Sequence, residues 1–213
     1  MIQELDRLYE EIAQCRKCPL GLERINAVRD TGDPRTAAVV FVGEAPGSNE
    51  IKHGIPFAGE AGKKLNIYLS MAGLTRSDVY ITNVVRCRPT ANGGRRNRTP
   101  GAREIPVCGG WVIRELEIIS PGTVVTLGNI ALKWLCGKQY TIGECHGQII
   151  EAGRFNVYPM YHPAAAIYNR ELENLIRAEF TEMGRHLGRV EPDYSYTGGE
   201  GLQTWNAKPT STD

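Results

Sequence analysis

Four short runs of β-prone apolar residues alternate with helical segments along this chain. The strand candidates are residues 37–42, 79–85, 123–127 and 155–160. Apolar residues at helical spacing mark helices over residues 2–14, 61–72, 102–119, 129–134 and 171–187. Strands that alternate with helices form βαβ units, in which neighbouring strands run parallel. The sequence therefore predicts an α/β fold, a three-layer sandwich in which a central, mainly parallel four-stranded sheet is flanked by helices.

The length and composition fit one such domain. The chain has 213 residues, of which 41% are hydrophobic and 23% charged, so a collagen-like or wholly disordered chain is excluded. We assign residues 1–190 to the domain and expect the polar, glycine-rich residues 191–213 to form a flexible tail. The longest apolar run, residues 37–42, is far shorter than the ~18 residues of a membrane span. Because residues 1–7 lack a basic and apolar leader, we expect a cytoplasmic protein with no membrane partner.

Three polar side chains follow predicted strands. Glu44 comes directly after the first strand, Asn83 lies near the end of the second, and His162 follows the fourth. Ligands of parallel α/β sheets bind beyond the carboxyl ends of the strands. We therefore predict that an acid, an amide and an imidazole converge at one sheet edge and form an active site.

Each candidate also has a structural interpretation. Glu44 could be a solvated loop carboxylate, Asn83 a turn-capping amide and His162 a structural histidine. The turn over residues 43–47 lacks both G-x-G-x-x-G and a Walker lysine, which disfavours a nucleotide-cofactor enzyme. Phe57 stands in a loop between two glycines, where it could plug the core or stack on a planar ligand.

Arginine is concentrated in one part of a chain whose formal charge is only +1. The arginines of this stretch are Arg86, Arg88, Arg95, Arg96, Arg98 and Arg103. Glycine and proline over residues 88–101 predict an exposed loop. Such a loop could grip a phosphate backbone, or it could simply be a solvated charged face.

Six cysteines occur in a chain that does not resemble a small secreted scaffold, so a disulfide framework is not expected. Cys15 and Cys18 form a Cys-x-x-Cys pair, whereas the remaining four are isolated. We interpret some of these thiols as metal ligands and the rest as buried or free.

Several motifs occur in a fixed order over roughly residues 1–188. They are Cys15-x-x-Cys18-Pro-Leu, Gly43-Glu-Ala-Pro-Gly47, Gly54-x-Pro-Phe-x-Gly59, Tyr80-Ile-Thr-Asn83, Cys87-Arg-Pro89, Cys108 and His162-Pro-Ala164. In this order and spacing the chain resembles the family 4 uracil-DNA glycosylases, the iron–sulfur branch of the uracil-DNA glycosylase superfamily.

The resemblance implies hydrolysis of the N-glycosidic bond of deoxyuridine in single- or double-stranded DNA, which releases uracil and leaves an abasic site. It implies that Glu44 positions water or stabilises the sugar cation, that His162 donates to uracil O2, and that Asn83 recognises the uracil edge. The substrate-binding residues that it implies are Ala45, Glu50, Phe57, Asn83 and Asn97.

The resemblance also implies a DNA-binding surface and a cluster. Contacts with DNA are expected from Arg95, Arg96 and Arg98, and a wedge that fills the vacated base stack is expected from Ile167 and Tyr168. Cys15, Cys18, Cys87 and Cys108 match the ligands of a [4Fe–4S] cluster, although their spacing alone would also permit zinc. Cys136 and Cys145 match no ligand and are interpreted as packing residues or free thiols.

The arginine-rich loop departs from the family pattern, because residues 90–94 are inserted before Asn97. Asn92 therefore competes with Asn97 for the family asparagine. A related branch traps DNA covalently through a histidine in a similar loop, whereas this loop has none, so we expect turnover. We also expect the enzyme to be a monomer. The alternatives are shifted specificity, for example for hypoxanthine, and a covalent-trapping or non-catalytic uracil-DNA binding protein.

Overall fold

The computed structural model describes residues 1–24 and 26–191, apart from the side chain of Tyr168. Its helices are α1 (Ile2–Gln14), α2 (Pro19–Glu23), α3 (Ser48–His53), α4 (Glu60–Met71), α5 (Glu104–Ile119), α6 (Asn129–Cys136), α7 (Ile142–Cys145), α8 (Ala165–Tyr168) and α9 (Arg170–His186). Its strands are β1 (Val39–Gly43), β2 (Val79–Asn83), β3 (Thr90–Ala91), β4 (Arg96–Asn97), β5 (Thr123–Leu127), β6 (Ile150–Glu151) and β7 (Asn156–Met160). Apart from Glu191, the predicted tail lies outside the described residues.

The central sheet has the strand order β2-β1-β5-β7-β6. The first four strands run parallel, and β6 pairs antiparallel with β7 at the edge. The predicted mainly parallel α/β fold is confirmed, whereas the predicted number of four strands is wrong. The fifth strand, β6, has two residues, too few to show the alternation that marks a strand in sequence.

Alternating side chains of the buried strands pack against helices on both faces of the sheet. Val40 and Val42 of β1 join the cluster that contains α1 and α5, whereas Val39 and Phe41 join the cluster that contains α4 and α9. This alternation follows from the two-residue period of a strand, and burial on both faces explains the continuous apolar runs. The carboxyl ends of the parallel strands therefore emerge together at one edge between two helical layers.

A polar network lies inside the first of these clusters. The buried carboxylate of Glu115 on α5 forms an ion pair with Arg86 and accepts hydrogen bonds from Tyr9 (2.5 Å), Tyr80 (2.8 Å) and Thr82 (2.7 Å). Only 2% of the Arg86 side chain is exposed. Arg86, which precedes the predicted exposed loop of residues 88–101, is therefore an interior residue, because its guanidinium pairs with a buried carboxylate on α5.

The arginine-rich loop contains a short hairpin in which β3 and β4 pair antiparallel. Asn92, Gly93 and Gly94 turn the chain with positive φ angles of 53°, 64° and 85°. Glycine and asparagine adopt this left-handed conformation most readily, which explains their place at the turn. Asn92 is therefore an exposed turn residue.

None of the helices in the described part of the chain combines the length and the apolar composition that crossing a membrane requires.

Candidate active site

Gly43 occupies the centre of the site, at the last position of β1 and opposite Asn83 of β2. A Cβ atom on Gly43 would lie 2.3 Å from Asn83 Oδ1 and 3.2 Å from the Phe57 ring. A side chain here would collide with both groups, so the glycine allows a buried amide and an aromatic ring to meet at the strand end. Asn83 is 6% exposed, and Phe57 is 8% exposed.

The Phe57 ring stacks on His162, with centroids 5.4 Å apart and an interplanar angle of 24°. Phe57 has a φ angle of +54°, which is costly for a bulky residue. Its carbonyl packs on Gly62 in the first turn of α4, where a Cβ atom would lie 1.7 Å from the carbonyl oxygen. The ring is therefore presented by a strained backbone that only a glycine at position 62 accommodates.

The hydrogen bonding of His162 defines its tautomer. Its Nδ1 accepts a hydrogen bond from the backbone N–H of Ala164 at 3.1 Å, so Nε2 carries the ring proton of the neutral form. Burial lowers the pKa of His162 to about 4, although the charge of Glu50 opposes this shift. At neutral pH His162 is therefore an uncharged imidazole whose Nε2–H is available as a donor.

Glu44 is half-buried directly after β1, and burial raises the pKa of its carboxyl above the ordinary value of 4.5. Its backbone carbonyl accepts a hydrogen bond from Val85 N at 3.0 Å, which fixes the loop to the chain after β2. Within the described residues the Glu44 carboxylate makes no hydrogen bond or ion pair. The carboxylate is therefore free to act on a substrate or a water molecule.

Glu50 joins the two loops of the site. Its carboxylate accepts hydrogen bonds from Gly47 N at 3.0 Å and from Gly59 N at 3.3 Å. These bonds connect the turn that carries Glu44 to the loop that carries Phe57. The structure thus places the predicted substrate-binding carboxylate on backbone groups beside the pocket, where it shapes the two loops.

The hairpin brings Asn97 to the same turn. A Cβ atom on Gly47 would lie 3.2 Å from Asn97 Nδ2, and Arg88 Nε donates to Asn97 Oδ1 at 2.7 Å. Of the two asparagines that the sequence left open, Asn97 is therefore the one beside the site. The contact of Arg88 with Asn97 was not predicted from the sequence, where the place of Arg88 in the Cys87-Arg-Pro89 motif was the available signal.

The predicted DNA-binding residues differ in how exposed they are. Arg95 and Arg96 are exposed on the hairpin, whereas Arg98 forms an ion pair with Glu104 at 2.6 Å. Ile167 on α8 is 44% exposed a few residues after His162. The predicted role of the Tyr168 side chain lies outside the described part of the structure. Ala45, next to Glu44, is half-buried.

The four cysteines of the predicted ligand set line one cavity, whose wall also includes Ile12 and Trp111. Cys87 and Cys108 are buried, and all four are free thiols. The sulfur of Cys108 accepts a hydrogen bond from Arg86 N at 3.2 Å, and that of Cys87 accepts one from Arg24 Nη1 at 3.3 Å.

This donor set fits a group that binds four thiolates. Burial raises the pKa of the Cys108 thiol to about 11, so a bound metal would have to displace its proton. In the described residues, no group of three or more histidine, cysteine or acidic side chains is arranged to hold a single metal ion. Cys136 and Cys145 lie outside the cavity wall.

Comparison with known proteins defines the class to which this fold and site belong. The family model of the uracil DNA glycosylase superfamily matches residues 29–186. A type-4 uracil-DNA glycosylase of Archaeoglobus fulgidus is 38% identical over 199 residues, which cover 90% of this chain and 97% of that protein. One of Thermotoga maritima is 42% identical over 171 residues, which cover 79% of this chain and 86% of that protein. A type-5 uracil-DNA glycosylase of Pyrobaculum aerophilum is 30% identical over 200 residues, which cover 75% and 82%.

The class is therefore the uracil DNA glycosylase superfamily. Within it, the chain belongs to the type-4 uracil-DNA glycosylase family, and the resemblance inferred from the ordered motifs is confirmed.

Proposed function

We propose that this protein is a DNA repair enzyme that hydrolyses the N-glycosidic bond of deoxyuridine in DNA, releasing uracil and leaving an abasic site. The observation that carries the proposal is the convergence of Asn83, Phe57 and His162 around Gly43, with the unpaired Glu44 carboxylate beside them. Family membership supports the same conclusion, since the relatives are named as uracil-DNA glycosylases.

Recognition of the base begins with its removal from the DNA stack, which costs roughly a few kcal/mol. The Phe57 ring offers an apolar face on which a planar pyrimidine stacks. The Asn83 amide presents both a donor and an acceptor, which match the imide edge of uracil. Ala45 and Asn97 line the path by which the base enters. Glu50 holds the two loops of the site together through its hydrogen bonds to Gly47 N and Gly59 N.

Cleavage of the glycosidic bond places negative charge on the departing uracil and positive charge on the sugar. The Nε2–H of neutral His162 donates to uracil O2, where negative charge accumulates. Glu44 positions a water molecule or stabilises the oxocarbenium-like sugar, and both roles require the ionised carboxylate. His162 therefore acts as the hydrogen-bond donor to the leaving base, and Glu44 supplies the negative charge near the sugar.

The pH dependence of the reaction follows from Glu44. Because burial raises its pKa, this carboxyl binds a proton at a higher pH than an exposed glutamate does. Activity that needs the ionised form should be full at neutral pH and should fall by about tenfold per pH unit once the pH drops below that pKa. Burial lowers the pKa of His162 to about 4, so this residue begins to bind a proton only at the acid end of the range.

A single-turnover pH profile of kcat/KM between pH 4 and 8 checks this prediction. The matched control is Glu60→Gln, which removes an exposed carboxylate at the start of α4 and should leave the profile unchanged. An acid limb with a midpoint below 4.5 would contradict the assignment to Glu44.

Contacts with DNA are proposed for the exposed hairpin arginines Arg95 and Arg96, with Arg98 contributing less because it is paired with Glu104. Ile167 and Tyr168 are proposed to fill the vacated stack. We further propose that residues 1–190 form the glycosylase domain, that residues 191–213 form a tail, and that the enzyme is a cytoplasmic monomer.

Cys15, Cys18, Cys87 and Cys108 are proposed to hold a [4Fe–4S] cluster, for which the shared cavity and the N–H donors to two of the sulfurs are the support. When bound, such a cluster would supply a covalent link between the N-terminal helices, α5 and the segment that leads into the hairpin. In the sequence, Cys87 stands two positions before Pro89, next to the arginine-rich loop.

Replacing one of these four cysteines should therefore remove the cluster and also lower the stability of the protein. Cys108→Ser is expected to lose most of its about four iron atoms per chain, together with the visible absorbance, and to melt at a lower temperature. Cys145→Ser is the matched control, since Cys145 lies outside the cavity wall. Iron analysis and thermal melts measure both effects. A Cys108→Ser protein with unchanged iron would contradict the ligand assignment, and stoichiometric zinc in the wild type would favour a zinc site.

The proposed activity is tested with a labelled strand that carries one uracil. Alkali-dependent scission at the uracil, resolved on a denaturing gel, is the expected result. An intact strand would contradict the proposal. Scission of a matched strand that carries hypoxanthine, and not of the uracil strand, would show that the enzyme is specific for a different base. A retarded band that survives denaturation would indicate covalent trapping.

A further inference from the structure

The strained conformation of Phe57 needs support on both sides of the residue. On its C-terminal side, the Phe57 carbonyl packs on Gly62, and Glu50 holds Gly59 N. These contacts fix where the segment after Phe57 runs. They leave the preceding peptide, between Pro56 and Phe57, to be held by something else.

That peptide is held by an arginine from another part of the chain. Arg76 lies in the short 3₁₀ helix Arg76–Asp78, which leads into β2. Its Nη2 donates to the carbonyl oxygen of Pro56 at 2.8 Å. The contact therefore bridges 20 residues of sequence and ends on the peptide group that joins Pro56 to Phe57.

In the described part of the chain, the Pro56 carbonyl is the only group to which the Arg76 guanidinium donates a hydrogen bond. Within residues 1–24 and 26–191, it makes no ion pair, and its Nη1 is buried without a hydrogen-bond partner. Burial lowers the pKa of Arg76, which shows that the protein withdraws this charge from water without a compensating carboxylate. Burying such a charged group is costly unless hydrogen bonds offset the loss of hydration, and the bond to the Pro56 carbonyl is the one that the described residues provide.

We propose that Arg76 is a positioning residue that fixes the Pro56–Phe57 peptide and thereby sets the Phe57 ring against the target base. This inference rests on the proposed function, because it acts through the uracil-stacking role of Phe57. Arg76 does not touch the base. It determines how well the pocket is formed before the base enters, so its removal weakens base binding more than it slows bond cleavage.

The test compares Arg76→Met with Arg76→Lys, which keeps a charged donor at this position. Arg76→Met should raise both KM and the inhibition constant of free uracil by about tenfold, with a smaller change in kcat. Arg76→Lys should recover most of this loss. Arg7→Met is the matched control, because Arg7 is exposed on α1. If Arg76→Met does not fold, Arg76→Gln takes its place in every comparison.

A double-mutant cycle with Phe57→Ala separates positioning from a general structural effect. If Arg76 acts through Phe57, Arg76→Met should change uracil affinity by less than about twofold in the Phe57→Ala background. The same tenfold loss in both backgrounds would overturn the inference, as would unchanged uracil affinity in a folded Arg76→Met protein. Absence of uracil release by the wild type would instead contradict the proposed function, and the two failures are therefore distinguishable.

Discussion

His162→Ala should lower kcat for uracil release by about 10²–10³-fold while changing KM little. A loss of this size is typical when an enzyme loses one hydrogen-bond donor to an atom on which negative charge develops. The effect falls on kcat because the Nε2–H bond strengthens as charge moves onto uracil O2. Single-turnover rates at saturating enzyme, together with KM from steady-state data, measure the two parts separately.

The exposed histidine of α3 provides the control for this prediction. His53→Ala makes the same substitution outside the pocket and should keep wild-type rates. A His162→Ala protein within about fivefold of wild type would remove His162 from the mechanism. A large rise in KM with unchanged kcat would instead assign it to ground-state binding.

Glu115→Ala should destabilise the protein by about 3–5 kcal/mol, because it leaves the guanidinium of Arg86 buried and unpaired. The same carboxylate also accepts hydrogen bonds from Tyr80 and Thr82, which would lose their partner. Since Arg86 N donates to the Cys108 sulfur, the proposed cluster should also lose its iron more readily. Denaturant unfolding measures the free energy, and iron analysis measures the second effect.

Two further variants identify the cause of the destabilisation. Glu117→Ala removes an exposed carboxylate from the same helix and should change stability by less than about 0.5 kcal/mol. The double variant Arg86→Met, Glu115→Leu should recover much of the loss, because an apolar pair leaves no charge unpaired. A loss below about 1 kcal/mol in Glu115→Ala would show that Arg86 finds another partner.

The order of strands and helices, and with it the edge that carries the site, could be predicted from the sequence. The runs that became β1, β2, β5 and β7 are apolar because both faces of the sheet are covered, which is a local signal. The strand β6 could not be predicted, since two residues become a strand only by pairing with β7. Secondary structure of that length is decided by tertiary contacts.

Some features of the candidate site could likewise be predicted from the sequence, whereas others could not. The convergence of Glu44, Asn83 and His162 follows from topology, because each stands at the end of a parallel strand. The tautomer of His162 and the positive φ angle of Phe57 could not be predicted, since they depend on Ala164 N and on the missing side chain of Gly62.

Charge pairing was the other property hidden from sequence. Arg86 and Arg98 stand among exposed arginines in the sequence, yet Glu115 and Glu104 pair with them. Both partners lie on α5. Glu104 follows Arg98 by six residues, whereas Glu115 is 29 residues from Arg86 and is brought close only by the fold. The number of arginines available to DNA is therefore smaller than composition suggests.

The most direct test of the account counts free uracil released by a known amount of the protein from DNA in excess. The site around Gly43 predicts many uracils released per chain, with the remaining strand alkali-labile at the same position and no release by His162→Ala beyond a small residual rate. No free uracil, or release that stops at one per chain with the protein left attached to DNA, would contradict a hydrolytic glycosylase.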